Sequence, residues 1–133
     1  MNSTVELTRE VVIRSMHKLG SPQLSEEENK ALYGKCARLH GHDYRIRVTL
    51  RAPVDETTGI AFDRERLDRI LMAAIIEPLD GADLNGFFPN TAGEALARAL
   101  YLRLAPLFPK ETLVRVGVQE TPKNYFEFPP AGP

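Results

Sequence analysis

The sequence predicts an α+β domain in which two helices cover one face of an antiparallel sheet. Three observations lead there. Several stretches alternate apolar and polar residues with a period of two. Two others repeat apolar residues at helical spacing, and the order runs strands, helices, strands. At 133 residues the chain has room for one ordinary domain. With 43% hydrophobic residues it can bury a core without covalent staples.

Val5, Leu7, Val11 and Ile13 share one parity, against Glu6, Thr8 and Glu10 on the other, so a half-buried strand is expected first. Residues 20–30 read as a loop, with Ser25 and the three glutamates after it as a helix start. Residues 33–41 look irregular. From His42 to Leu50 the alternation is clean: His42, Tyr44, Ile46, Val48 and Leu50 face one way, Asp43, Arg45, Arg47 and Thr49 the other. One apolar and one charged face mark a strand on a one-sided sheet. Pro53 ends it, and Gly59–Phe62 is expected to return as a short strand. A helix follows over 63–77, capped by Asp63 and stopped by Pro78, with Leu67, Ile70, Leu71, Ala74 and Ile75 on its inner face. A turn-rich loop spans 79–90. The second helix covers 91–105, where Thr91 and Glu94 are spaced as a capping box. Val114, Val116, Val118 and Glu120 share one strand face, 124–128 pairs with it, and 129–133 is a frayed tail.

Seventeen basic residues against 18 acidic give a net charge of −1, which excludes a polybasic nucleic-acid binder. No apolar run approaches the ~18 residues of a membrane span. Met1–Glu10 alternates and carries charge, unlike a signal peptide. The single cysteine leaves no internal disulfide and fits a reducing compartment. A soluble cytoplasmic domain with no nucleic-acid or membrane partner is expected.

The chemistry lies in the histidines, of which there are three: His17, His40 and His42. On an extended backbone residues i and i+2 point to the same side, so the imidazoles of His40-Gly41-His42 can chelate one ion. His17 follows the first strand and can approach from the side. Three imidazoles with a fourth position open suit a catalytic zinc; the alternative is a set of hydrogen-bonded or surface histidines. Cys36, four residues before His40, keeps three readings: a buried small side chain, a fourth zinc ligand, or a reactive thiol between Lys35 and Arg38. Glu120 continues the apolar face of a valine strand. It lies either at the exposed strand end or in a pocket, where two N–H donors on a ligand would satisfy it. Asp80, after Pro78, reads on its own as a turn aspartate.

Taken in order and spacing, IRSMHKL (13–19), LSEEENKALYGKC (24–36), HGHDYRIRVTL (40–50), GIAFDRERL (59–67), LDGADLN (79–85), EALA (94–97) and VQETPKNYFE (118–127) resemble the 6-pyruvoyl-tetrahydropterin synthase family. That family includes the bacterial 6-carboxy-tetrahydropterin synthases of queuosine biosynthesis. The resemblance implies the T-fold, a four-stranded antiparallel sheet with two helices, assembled edge to edge into an oligomeric barrel. The usual assembly is a homohexamer, a dimer of trimers with sites between subunits. It implies a zinc-dependent lyase acting on 7,8-dihydroneopterin triphosphate to give a 6-pyruvoyl or 6-carboxy tetrahydropterin. In that correspondence His17, His40 and His42 hold zinc and Cys36 is the catalytic base. Asp80 belongs to the catalytic relay, and Glu120 anchors the pterin. The segment at Thr91 lines the pterin pocket.

The sequence departs from the family at one telling place. A Leu-Asp-His-x-x-Leu-Asn stretch is expected, and the chain reads Leu79-Asp80-Gly81-Ala82-Asp83-Leu84-Asn85. The relay histidine is Gly81, and all three histidines are already assigned to metal. Losing a positioned general acid–base group typically costs ~10²–10⁴-fold in rate. Thr91 also stands one residue further from Glu94 than in the family, and Ile13 and Ser15 replace the usual Phe and Ala. Three functions follow from this pattern: a working synthase with altered or slowed turnover, a pterin- and zinc-binding homologue with little turnover, and a structural ring protein with a closed Cys-His₃ zinc site.

Overall fold

The computed structural model describes residues 3–132. β1 (Thr4–His17) and β2 (His40–Pro53) pair antiparallel from Thr4 opposite Pro53 to His17 opposite His40. β3 (Leu113–Thr121) lies on the other side of β2, and β4 (Asn124–Phe128) closes the order β1-β2-β3-β4. Between β1 and β2, Ser25 caps α1 (Glu26–Tyr33). Its hydroxyl accepts from the Glu28 N–H at 3.0 Å, and the Glu28 carboxylate takes the Ser25 N–H at 3.0 Å.

The expected strand at Gly59–Phe62 does not form. Both edges of β2 are already taken by β1 and β3. Residues 55–60 instead close a turn, in which Asp55 Oδ1 accepts the N–H groups of Thr57 and Thr58 at 2.9 Å.

The first long helix does not stop at Pro78. α2 (Arg64–Leu71), capped by Asp63, runs through a π turn (Met72–Ile76) into α3 (Glu77–Leu79). Pro78 has no N–H to give the carbonyl four residues back. That carbonyl, on Ala74, accepts Arg103 Nε–H from the second long helix at 2.9 Å instead. The widened turn and this bond together let a proline sit inside the helical run. α4 (Gly93–Leu104) has Ala92, not Thr91, at its N-cap. The expected Thr91–Glu94 capping box is absent because Thr91 turns inward, its hydroxyl 3.3 Å from the Lys18 carbonyl.

One face of the sheet meets α2, α3 and α4. Ile13, Tyr44, Ile46, Val48, Val116 and Val118 pack with Leu67, Leu71, Ile75, Leu79, Leu96 and Leu100 in a single core. The other face is charged: Glu6 bridges Arg51 (2.7 Å) and Arg115 (3.4 Å), and Glu10 bridges Arg45 (3.3 Å) and Arg47 (3.1 Å). Such exposed pairs add little stability each. The last residues of β1 are covered by the 80–83 loop, where Gly81 N–H reaches the Arg14 carbonyl at 2.6 Å and Met16 N–H the Ala82 carbonyl at 2.8 Å. Residues 129–132 follow β4 without helix or strand, and Pro133 lies outside the described residues.

Candidate metal centre

At one end of the sheet the inner face changes from apolar to polar. Along β1 the core side chain Ile13 is followed on the same face by Ser15 and His17, all buried. Register then assembles the histidines. His17 stands directly opposite His40, and Ser15 opposite His42, so all three imidazoles lie on one face. Their ring centroids are 4.5–5.0 Å apart. Glu120 joins them from β3. Gln119 pairs with Tyr125 and Thr121 with Asn124, so Glu120 is the extra residue of a β-bulge. Bulges re-aim side chains in this way.

The ligand atoms of His17, His40, His42 and Glu120 all lie within 4.8 Å of one another. Facing a carbonyl, an imidazole Nδ1 carries a proton, and in the tautomer that a metal takes Nε2 is then the donor atom. His17 Nδ1 donates to the Thr91 carbonyl at 3.0 Å and His40 Nδ1 to the Arg38 carbonyl at 2.7 Å. Metal-binding histidines are commonly held by such outer contacts. His17 Nε2 and His42 Nε2 each stand 3.2 Å from Glu120 Oε1. The angles are not those of hydrogen bonds, so among the described residues both buried nitrogens lack a hydrogen-bond partner. Burial lowers the His42 pKa below its ordinary value, against the pull of Glu120. The neighbouring His17 imidazole holds the Glu120 carboxyl below its usual range, despite the opposing cost of burial. Three clustered imidazoles and a carboxylate, two of whose facing imidazole nitrogens have no hydrogen-bond partner among the described residues, are a donor set that fits a divalent metal such as zinc.

The other sequence-predicted residues lie outside this donor group. Cys36 sits partly buried in the 3₁₀ turn Gly34–Ala37, its carbonyl accepting the Leu19 N–H at 2.8 Å. It is not part of the four-donor group; Glu120 has that place. Thr91 does not line the cavity beside the centre. It is buried beneath His17, which its carbonyl orients. Asp80 Oδ1 accepts the Arg14 N–H at 2.8 Å, so its carboxylate ties the loop to β1. Gly81 is at φ +74°, with nothing within 4 Å of where a side chain would begin. It lines a cavity of about 770 Å³ with His42, Glu120, Arg14, Arg45 and Thr121, within the size range of small-molecule sites.

The sequence reading missed Tyr44, taken there only as an apolar-face residue. Its ring stands 5.8 Å from His17 and 5.5 Å from His42, and its buried hydroxyl has no partner among the described residues. Burial, then the Glu120 charge, raise its pKa well above the ordinary value. A tyrosine two residues beyond a ligand histidine, on a strand's inner face, was the available signal. Gly93 was missed too. A side-chain carbon there would lie 2.3 Å from the Phe126 ring and 3.2 Å from Glu120 Oε2, so its lack of one makes room for both.

A four-stranded antiparallel sheet, helices on one face and a histidine cluster at the sheet's end define a T-fold domain with a candidate metal centre. The chain belongs to the 6-pyruvoyl tetrahydropterin synthase family, whose model matches residues 6–131. It is 36% identical over 130 residues to a 6-pyruvoyl tetrahydrobiopterin synthase of Dictyostelium discoideum, covering 94% of this chain and 96% of that one. It is 32% identical over 126 residues to the Homo sapiens protein of that name, covering 90% and 87%. The solved 6-pyruvoyl tetrahydropterin synthase of Caenorhabditis elegans superposes with a TM-score of 0.86 at 31% identity, covering 98% of each chain.

Proposed function

We propose that the chain is a zinc-dependent pterin lyase acting on 7,8-dihydroneopterin triphosphate. The observation that carries this is the convergence of three imidazoles, two of them oriented by backbone carbonyls, and a carboxylate at the edge of an open cavity. His17, His40 and His42 would hold the ion. When bound, zinc supplies Lewis acidity toward the hydroxyl-bearing carbons of the substrate side chain. Glu120 lines the cavity and accepts the pterin's amino and ring N–H groups, fixing the side chain over the centre. Cys36 takes and returns the carbon-bound proton. Loss of triphosphate completes the pyruvoyl reaction; in the carboxy branch the side chain is also cleaved, releasing acetaldehyde. Metal analysis tests the centre. His42→Ala and His40→Ala are expected to lose stoichiometric zinc while staying folded, and retention of zinc by both would remove these residues as its ligands.

A second reading, a pterin- and zinc-binding homologue with little turnover, is favoured by Gly81, where no relay side chain stands. Both readings place the protein in the cytoplasm, with a small-molecule pterin partner and neither nucleic acid nor membrane. No helix among the described residues is long and apolar enough to cross a membrane.

The assembly we propose is a homohexamer built as a dimer of trimers. β4 and the first part of β1 are the outer strands of the sheet, and unpaired edges seek partners. Val5 and Val12 on β1 are each more than 40% exposed. Sedimentation at micromolar concentration is expected to show a hexamer, and a monomer there would rule out edge pairing.

A further inference from the structure

The end of β1 that carries His17 has β2 on one side only, up to His17 opposite His40. On its open side the backbone N–H groups point outward at every second residue, and the 80–85 segment takes them. Arg14 N–H goes to Asp80 Oδ1, Met16 N–H to the Ala82 carbonyl and Lys18 N–H to Asn85 Oδ1, each at 2.8 Å. Asn85 Nδ2 returns a bond to the Lys18 carbonyl at 3.0 Å. Its side-chain amide therefore pairs with Lys18 as a peptide group of a neighbouring strand would. That pairing fixes the orientation of the amide, since a backbone N–H can only donate and a carbonyl only accept. Nδ2 also stands 3.4 Å from the Thr91 hydroxyl, which donates to the same Lys18 carbonyl at 3.3 Å. The carbonyl of Thr91 in turn holds His17 Nδ1 at 3.0 Å. Asn85 thus joins the two anchors of His17: the backbone just beyond it and the residue that orients its ring. It belongs neither to the donor group nor to the cavity wall.

We propose that Asn85 is a positioning residue of the metal centre: it sets the place and tilt of the His17 imidazole, and through that ring the affinity for a divalent cation. This rests on the metal-centre reading above. His17 is fully buried, and its Nε2 has no hydrogen-bond partner among the described residues. Its ring direction is therefore set from the Nδ1 side, through Thr91. Lys18 lies just past the last β1–β2 pair, so the sheet does not hold it. Without the Asn85 amide, Lys18 loses its N–H acceptor and one of its carbonyl donors, and the Thr91 hydroxyl loses a neighbour. Both anchors of the ring loosen together. The ties at Arg14 and Met16 hold the same loop but reach neither Lys18 nor Thr91. Outer contacts of this kind typically carry about 10–100-fold of metal affinity.

The test uses the metal-free full-length chain and cobalt(II), whose visible bands report the geometry of its ligands. Asn85→Ala and Asn85→Asp are compared with the wild type, with melting temperatures measured beside them. Asn85→Asp keeps an acceptor for the Lys18 N–H but loses the amide donor, so it separates the brace from the filling of space. Asn29→Ala is the matched control. Asn29 makes the same two bonds to Ser21, accepting its N–H at 2.8 Å and donating to its carbonyl at 3.1 Å, outside the donor group. Both Asn85 variants are expected to bind cobalt about 10–100-fold more weakly, with shifted bands. Asn29→Ala is expected to melt lower while keeping wild-type cobalt affinity and bands. Wild-type affinity and bands in the folded Asn85 variants overturn the proposal. An equal loss in Asn29→Ala does so too, because the effect is then one of general stability. Should neither Asn85 variant fold, Thr91→Val decides. It removes the hydroxyl and keeps the carbonyl that orients the ring; weaker cobalt binding is expected, and wild-type binding overturns the proposal. His40→Ala separates the two readings. If it loses cobalt while the Asn85 variants do not, only the positioning role fails; if it retains cobalt, the histidine centre itself fails.

Discussion

Cys36→Ala is expected to lower turnover of 7,8-dihydroneopterin triphosphate by about 10²–10⁴-fold, the usual cost of removing a positioned general base, with zinc content unchanged. The two halves of this expectation have separate grounds. Zinc should stay because the donor group is complete without the thiol: Glu120, not Cys36, accompanies the three histidines. Turnover should fall because the proposed mechanism gives Cys36 the proton transfer, and the chain on both sides ties it to segments that carry the ligands. Its carbonyl is bonded to Leu19, two residues beyond the ligand His17, and it precedes the ligand His40 by four residues. Loss of zinc in the variant would make the thiol a ligand and revive the closed-site reading. Unchanged turnover would return it to a packing role.

Gly81→His is expected to raise turnover by up to about 10²-fold, the contribution of one positioned acid–base group. The backbone there is left-handed at φ +74°. Histidine is among the residues enriched at such angles, so the substitution should cost only roughly 1 kcal/mol. That corresponds to a melting temperature lower by about 4 °C for a domain of this size. Nothing within 4 Å obstructs a side chain at Gly81, and the position lines the cavity that Glu120 and His42 share. Asp80 does not wait unpaired for the new imidazole, since its Oδ1 already holds the Arg14 N–H at 2.8 Å. The gain therefore depends on the second carboxylate oxygen. A variant that folds, binds zinc and pterin, and still turns over no faster would favour the binding-protein reading.

Much of this site was legible in the sequence because strand periodicity is strict. The alternation from His42 to Leu50 fixed which side chains share a face, and that parity extends back to His40. Val118 and Glu120 share a face for the same reason, so a carboxylate aimed inward was readable. What periodicity cannot carry is register between strands. Nothing local says that His17 stands opposite His40 or that Glu120 sits at a bulge. Those depend on long-range pairing. The capping-box misreading at Thr91 has a similar origin: the spacing to Glu94 was right, but the Lys18 carbonyl and His17 compete for the residue from across the fold. Pro78 misled because its usual effect is offset by Arg103, on another helix. The return strand at 59–62 failed because a strand needs a free edge as well as a pattern. Tyr44 was placed on the apolar face, and that placing concealed the question of where its buried hydroxyl would find a partner.

The central claim is that this histidine–carboxylate centre performs pterin chemistry. It is tested most directly by incubating the zinc-loaded full-length chain with 7,8-dihydroneopterin triphosphate and measuring released inorganic triphosphate together with the pterin product. Triphosphate release matched by a tetrahydropterin product is expected, with both lost in His42→Ala; acetaldehyde among the products would assign the carboxy branch. Substrate recovered intact from folded, zinc-loaded protein would contradict it.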